Sequence, residues 1–322
     1  MHSQGSITFK ESSRQAGCSQ RAHRRALLFA GIALAAMACT ACVSKSAAPD
    51  GTRPFVDEIG RTIQVKLHPQ RIVSLAPSVT ETLFALGLGD RIVGVTSYCD
   101  YPVEATSKER VGDTMRPGIE RIVALKPDLV IASTASQLEE FVHSLDQAGV
   151  PIYVSNPRDM EGVLKSIEMT AELTGVSERG RDLCDQLRAR IEAVQARTDR
   201  LERPRVLFVL SSSPLITAGG RSFINDLINR AGGRSISADQ NSDYPQYSLE
   251  TAVAGRPEVI FLQTGDAAFP NRLKETPAAT SGRVFHLDNN LLLRPGPRVV
   301  QGLEEMATRI HPEAFGKSEN PE

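Results

Sequence analysis

Two stretches of this chain, 130 positions apart, read nearly alike. The first is Glu120-Arg-Ile-Val-Ala-Leu-Lys-Pro-Asp-Leu-Val-Ile-Ala132, and the second is Glu250-Thr-Ala-Val-Ala-Gly-Arg-Pro-Glu-Val-Ile-Phe-Leu262. Each opens on an acid, runs through Val-Ala to a base, a proline and a second acid, and ends in apolar residues. Proline lacks an amide hydrogen and cannot continue a helix, so each copy predicts a short helix stopped before proline, then a buried strand. One repeat at this long offset predicts two similar lobes, because solenoid periods are shorter. Two such lobes have a cleft between them and set Glu120 and Glu250 at equivalent positions.

The segments around the repeat alternate in the same way. Phe55–Leu67 reads as a hairpin turning at Asp57 to Gly60. Ile72–Leu75, Ile92–Val95, Leu129–Ala132 and Ile152–Val154 are short apolar strands. Ser78-Val-Thr-Glu81 reads as a capping box, with Ser78 as N-cap and Glu81 reaching back, opening a helix closed by Gly87 and Gly89. Further helices are predicted over 137–148 and 160–175. Strands alternating with helices predict an α/β fold with helix-covered parallel sheets. Residues 178–201 form a long charged amphipathic helix with Leu183, Leu187, Ile191 and Val194 on one side, about 36 Å long and able to cross between lobes. The second lobe opens at Arg205 with the strand Val206–Leu210. It repeats the helix-then-glycine pattern at 225–233 and ends in the strand Val284–Leu287 and a helix over 297–310.

The amino terminus is a different kind of segment. Arg21, Arg24 and Arg25 precede the apolar run Ala26–Met37. That run is shorter than the roughly 20 residues a membrane span needs and has the layout of a secretory signal. Small residues then precede a cysteine, as in a bacterial lipobox, which makes Cys42 the lipidation site and Cys39 the second candidate. The expected division is a signal at 1–41, a lipid anchor and tether at 42–54, a first lobe at 55–175, a linking helix at 176–203, a second lobe at 204–315 and a tail at 316–322. Cleavage before Cys42 leaves a formal charge of −5, which argues against a nucleic-acid surface. Cys99 and Cys184 are expected in different elements and unpaired.

The segments Arg71–Glu81, Gly94–Pro102, Glu120–Ile131 and Leu293–Arg298 together resemble the substrate-binding proteins of bacterial ABC importers for vitamin B12, iron-siderophores and haem. The likeness covers residues 54–312, and Ser97-Tyr-Cys-Asp-Tyr-Pro102 is closest to the vitamin B12-binding branch. It implies two Rossmann-like lobes joined by a single long helix, a ligand cleft between them and a stiff joint. It also implies that Glu120 and Glu250 dock onto arginines of the two membrane subunits, a pairing that fixes orientation as well as adding energy. The other reading is that each glutamate sits at its helix's positive N-terminus, and one carboxylate can do both.

Loops at the carboxyl ends of the strands, 76–80, 96–102, 113–118, 211–222, 240–248 and 288–295, are expected to line the cleft. They carry Tyr98, Tyr101, Tyr244 and Tyr247, whose faces and hydroxyls suit a large, flat, partly polar ligand. Tyr98 and Tyr244 match family pocket positions. The expected ligand-binding set is Ser78, Tyr98, Thr114, Leu215, Tyr244 and Arg294. Arg116, Arg221 and Arg298 are further candidates to meet carboxylates or phosphate. The chain has no tryptophan, where well-known vitamin B12 binders set tryptophans against the corrin, and Thr114 and Tyr244 stand at those places.

The resemblance implies a monomeric, exported, lipid-anchored receptor in the periplasm or at the cell surface. Its partners would be a permease dimer with its ATPase, and it would carry cobalamin or a related corrinoid. A ferric siderophore or haem is the alternative cargo. No cofactor is expected. His68, His143, His286 and His311 have no metal-ligand spacing. Ser78 and Ser211–Ser213 lie in no Gly-x-Ser-x-Gly elbow, so no catalytic residues and no enzyme activity are expected.

Overall fold

In a computed structural model of the chain, residues 51–114, 116–134, 138–263 and 269–316 are described. The predicted signal segment, with Cys39 and Cys42, lies outside them. The described part starts with a hairpin, β1 (Thr52–Val56) paired antiparallel to β2 (Thr62–Lys66). Thr52–Pro54, assigned to the tether on sequence grounds, are therefore strand residues. The turn is organised by the buried Asp57 carboxylate, which accepts from the amides of Ile59 and Arg61 and from the Arg61 guanidinium. Arg61 also donates to Ile152 O, and Tyr153 donates to Glu58, which fastens the hairpin to the first lobe.

The first lobe holds a parallel sheet of β3 (Ile72–Ser74), β4 (Ile92–Val95), β5 (Leu129–Ser133) and β6 (Ile152–Ser155), in the order β4-β3-β5-β6. The second holds β7 (Arg205–Ser212), β8 (Leu215–Thr217), β9 (Arg234–Ser235), β10 (Val259–Gln263) and β11 (Val284–Leu287). Its parallel pairings run β9-β7-β10-β11, the same order, and β8 folds back antiparallel on the end of β7. The repeat seen in sequence is thus a repeat of topology. β3, β5 and β6 are buried at every residue. This follows from helices covering both faces of a parallel sheet, which removes the polar alternation of a half-exposed one.

The helices of the first lobe are α1 (Pro77–Ala85), α2 (Ile119–Ala124), α3 (Leu138–Gln147) and α4 (Met160–Leu173). The linking helix is α5 (Ser177–Thr198). The second lobe adds α6 (Phe223–Arg230), α7 (Leu249–Ala254), α8 (Pro277–Thr280), α9 (Asn289–Leu292), α10 (Val299–Ile310) and α11 (Pro312–Phe315). One expectation is corrected at α1. The N-cap is Ala76, with no side-chain cap bond, and Pro77 occupies the first turn. Proline's fixed φ suits that position, which moves the start forward and leaves Ser78 inside the helix. No capping box forms, and the Glu81 carboxylate points elsewhere.

Atomic detail explains why the repeated stretches look alike. After α2 and α7 the chain passes through Lys126 at φ 47° and Arg256 at φ 48°, a left-handed conformation that side chains rarely adopt. Each strained carbonyl is gripped from the start of the neighbouring strand: Arg71 donates to Lys126 O, and Arg205 to Arg256 O. The acid after each proline completes the joint. Asp128 accepts from the amides of Gln70 and Arg71, and Glu258 from the amide of Arg205. The second acid of each copy therefore serves folding.

The 22 residues of α5 span about 33 Å at 1.5 Å per residue. Cys184, Leu187, Ile191 and Val194 are buried along it. They belong to one apolar cluster that also contains Ile72 and Leu83 of the first lobe and Phe208, Ile228 and Leu303 of the second. Arg190 of α5 grips Glu304 of α10 with two bonds of 2.8 and 2.6 Å. A core that is continuous across both lobes resists hinge opening, because separating them would expose close-packed apolar surface.

Candidate functional site

The two lobes meet through the loops at the carboxyl ends of their strands. At one contact, the turn after α9 reaches across to α1 and to the loop after β4. Gly296 lies so close to α1 that a Cβ there would stand 3.1 Å from Ser78 O, tight enough that α1 would have to give by a few tenths of an ångström. The arginines flanking it enter the first lobe. Arg298 donates twice to Glu81, at 2.8 and 2.6 Å, and stacks 3.8 Å over the Tyr101 ring. Arg294 donates to both Asp100 oxygens, at 2.5 and 3.2 Å, to Glu81 at 3.3 Å and to Tyr98 O at 3.5 Å.

Burial shapes the electrostatics of this contact. The Glu81 side chain is 2% exposed and both arginines 15%, while Asp100 is 57% exposed. The Arg294 hydrogen bond holds the Asp100 carboxyl below its usual range. Hydrogen bonding to Glu81 raises the already high pKa of Arg298 against its desolvation. Asp100, Arg294 and Arg298 are thus charged at neutral pH. A second contact between the lobes joins Arg158 to Asp243 at 3.6 Å and the Met160 amide to Asp226 at 2.9 Å.

Two of the expected ligand residues stand beside these contacts. Tyr98 is 58% exposed in the loop held by Arg294, and Tyr244 is 46% exposed next to Asp243. Partial burial and the Asp243 carboxylate raise the Tyr244 phenol, which stays neutral. Thr114 is half-buried in the loop before α2. Ser78 and Leu215 are buried, the first under Gly296 and the second in the second lobe's outer core. Arg294 is committed to the first lobe's acids. Of the other tyrosines, Tyr247 is buried and donates to Ile236 O, while Tyr101 lies under Arg298. Arg116 and Arg221 are exposed. Cys99 and Cys184 are free, as expected, and both are buried.

Sequence reading missed Glu81 and Asp100. Their signal was a mismatch of charge: two acids near the first strands and two arginines in Leu293–Arg298 have no local partner of opposite sign. The pattern Ser-x-x-Glu offered a nearer use for Glu81 and hid it.

Glu120 and Glu250 lie in the first turns of α2 and α7, both exposed. Ser248 caps α7 by accepting from the Thr251 amide, so Glu250 is not the cap. The Glu250 carboxylate accepts from Ser248 Oγ at 2.9 Å and pairs with exposed Arg272. Its own backbone amide, then Ser248, lowers its pKa. Glu120 follows Gly118, which has no capping side chain, and makes no side-chain bond among the described residues. Also among the described residues, no three His, Cys, Asp or Glu side chains gather as a metal site, and no helix is long and apolar enough to cross a membrane.

Comparison with known proteins agrees with this architecture. The sequence profile of the periplasmic binding protein family matches residues 72–291. The crystal structure of the periplasmic vitamin B12 binding protein BtuF of Vibrio cholerae is 31% identical with a TM-score of 0.68, covering 77% of this chain and 98% of that one. The periplasmic heme-binding protein RhuT from Roseiflexus sp. RS-1 is 30% identical with a TM-score of 0.69, covering 76% and 99%. An uncharacterized ABC transporter substrate-binding lipoprotein, YvrC of Bacillus subtilis, is 33% identical over 305 residues, which are 90% of this chain and 96% of that one. Two matched parallel sheets, one linking helix and a family match across both lobes lead to one conclusion: the chain belongs to the periplasmic binding protein family.

Proposed function

We propose that the protein is the substrate-capturing component of an ABC importer, tethered by a lipid on Cys42, and that its cleft takes cobalamin or a related corrinoid. The observation that carries the importer reading is the pair Glu120 and Glu250. They occupy equivalent places on the two lobes and are exposed, whereas the other repeated acids, Asp128 and Glu258, are occupied in folding. Two carboxylates so placed suit bidentate contact with arginines of two membrane subunits. The protein itself breaks and makes no bonds. It binds, docks and releases, and the importer's ATPase supplies the energy.

The ligand reading is supported by the Ser97–Pro102 segment and by the likeness to the Vibrio cholerae vitamin B12 binding protein. Tyr98 and Tyr244, one on each lobe, offer part-exposed rings to a large flat ligand, and half-buried Thr114 in the loop before α2 is a further candidate. Ser78 and Leu215 would form the surface behind. The Roseiflexus protein, at nearly the same identity, is named for haem, and a tyrosine can serve as a haem iron ligand. That makes haem the second reading.

Calorimetric titration of the mature chain with cyanocobalamin, haem and a panel of ferric siderophores separates these readings. Saturable one-to-one binding of cyanocobalamin is expected. Saturable binding of haem or a siderophore, with none of cyanocobalamin, would replace the ligand and keep the importer reading.

A further inference from the structure

Arg294 and Arg298 place three successive contacts along one loop of the other lobe. Arg294 donates to Tyr98 O and to both oxygens of Asp100, and Arg298 covers the Tyr101 ring. The buried Glu81 carboxylate joins the arginines from below. We infer that Arg294 is a positioning residue: it holds the loop of Tyr98 to Tyr101 against the second lobe, so that the Tyr98 ring is set before ligand arrives.

Three observations support this assignment over direct contact with ligand. First, Arg294 is 15% exposed at its side chain and its donors already point at four oxygens. A guanidinium in this state gains little from a further acceptor, because it would have to give up a charge-assisted bond. Second, the loop has little beneath it on the far side. Tyr101, Pro102 and Glu104 form one wall of a 530 Å³ cavity, with Leu183 and Leu187 of α5 on another. Third, the loop's anchor within its own lobe is at Cys99, where Thr80 donates to the thiol and Arg110 to the carbonyl. Residues on either side of that anchor are held by the arginines.

The part of this inference that concerns affinity rests on the reading of the cleft as the ligand site, so its test has two arms. In the first, backbone amide exchange is followed in the ligand-free mature chain. R294Q is expected to raise exchange over residues 98–102 by at least about tenfold, which is a loss of about 1.4 kcal/mol of local protection. Residues 240–248 should stay unchanged. Arg298 keeps both its bonds to Glu81 in this variant, so no buried acid loses its main partner. Unchanged exchange at 98–102 overturns the inference.

In the second arm, cyanocobalamin affinity is measured for wild type, R294Q, D100N and the double variant. A positioning role predicts that each single change weakens binding about tenfold, the scale of ordering one or two side chains, and that the double variant is no weaker than the worse single. Losses that multiply mean Arg294 touches ligand directly and overturn the inference. If the wild type binds no cyanocobalamin, the ligand reading fails, while the exchange arm still decides whether Arg294 holds the loop.

Discussion

At the residue scale, the paired arginines of the 293–298 turn do unequal work. Arg298 makes two short bonds to Glu81, whereas Arg294 makes one longer bond to it and spends the rest on Asp100 and Tyr98. Breaking a buried ion pair by removing one partner costs about 3–5 kcal/mol, because the remaining charge keeps its desolvation penalty. R298A is therefore predicted to lower unfolding stability by about 3 kcal/mol. R294Q, which leaves Glu81 well paired, should cost about 1 kcal/mol, the usual worth of a hydrogen bond. Urea titration of the two variants checks this order, and equal losses would mean that Glu81 does not depend mainly on Arg298. None of this was legible locally. Glu81 and Arg298 are 217 positions apart, and no pattern within a helix or turn links an acid to a base at that distance.

At the scale of elements, the repeat was the most legible feature and also the best explained. Its prolines stop α2 and α7, its apolar runs are β5 and β10, and its bases take up the left-handed turn between them. A periodicity in hydrophobicity reports helices and strands well because burial follows it residue by residue. The starts of elements were read less well, because they depend on single contacts. Pro77 drew the start of α1 two residues toward the N-terminus, and pairing with β2 drew β1 back into the expected tether. Of the residues proposed to meet ligand, exposure separates Tyr98 and Tyr244 from Ser78 and Leu215, a distinction of depth that the sequence order of loops does not carry. If Asp128 and Glu258 do equivalent work, D128A and E258A should each destabilise by about 1–2 kcal/mol through orphaned amides at the strand entrances. Denaturant unfolding of the two single variants tests this, and a loss confined to one of them would show that the two joints are not equivalent.

At the scale of the whole molecule, the two lobes share one apolar core through α5. A shared core couples their unfolding, so differential scanning calorimetry should show a single transition whose calorimetric and van't Hoff enthalpies agree. Two separated transitions would mean that the lobes are independent. A stiff pair of lobes also keeps Glu120 and Glu250 at a fixed spacing, which suits the proposed docking on two membrane subunits. The most direct test of that account is uptake of labelled cyanocobalamin by cells whose only copy of the protein is E120A/E250A, with cyanocobalamin binding measured on the same purified variant. Uptake should fall to the level of cells lacking the protein while binding stays at the wild-type value. Wild-type uptake by the variant would contradict the account.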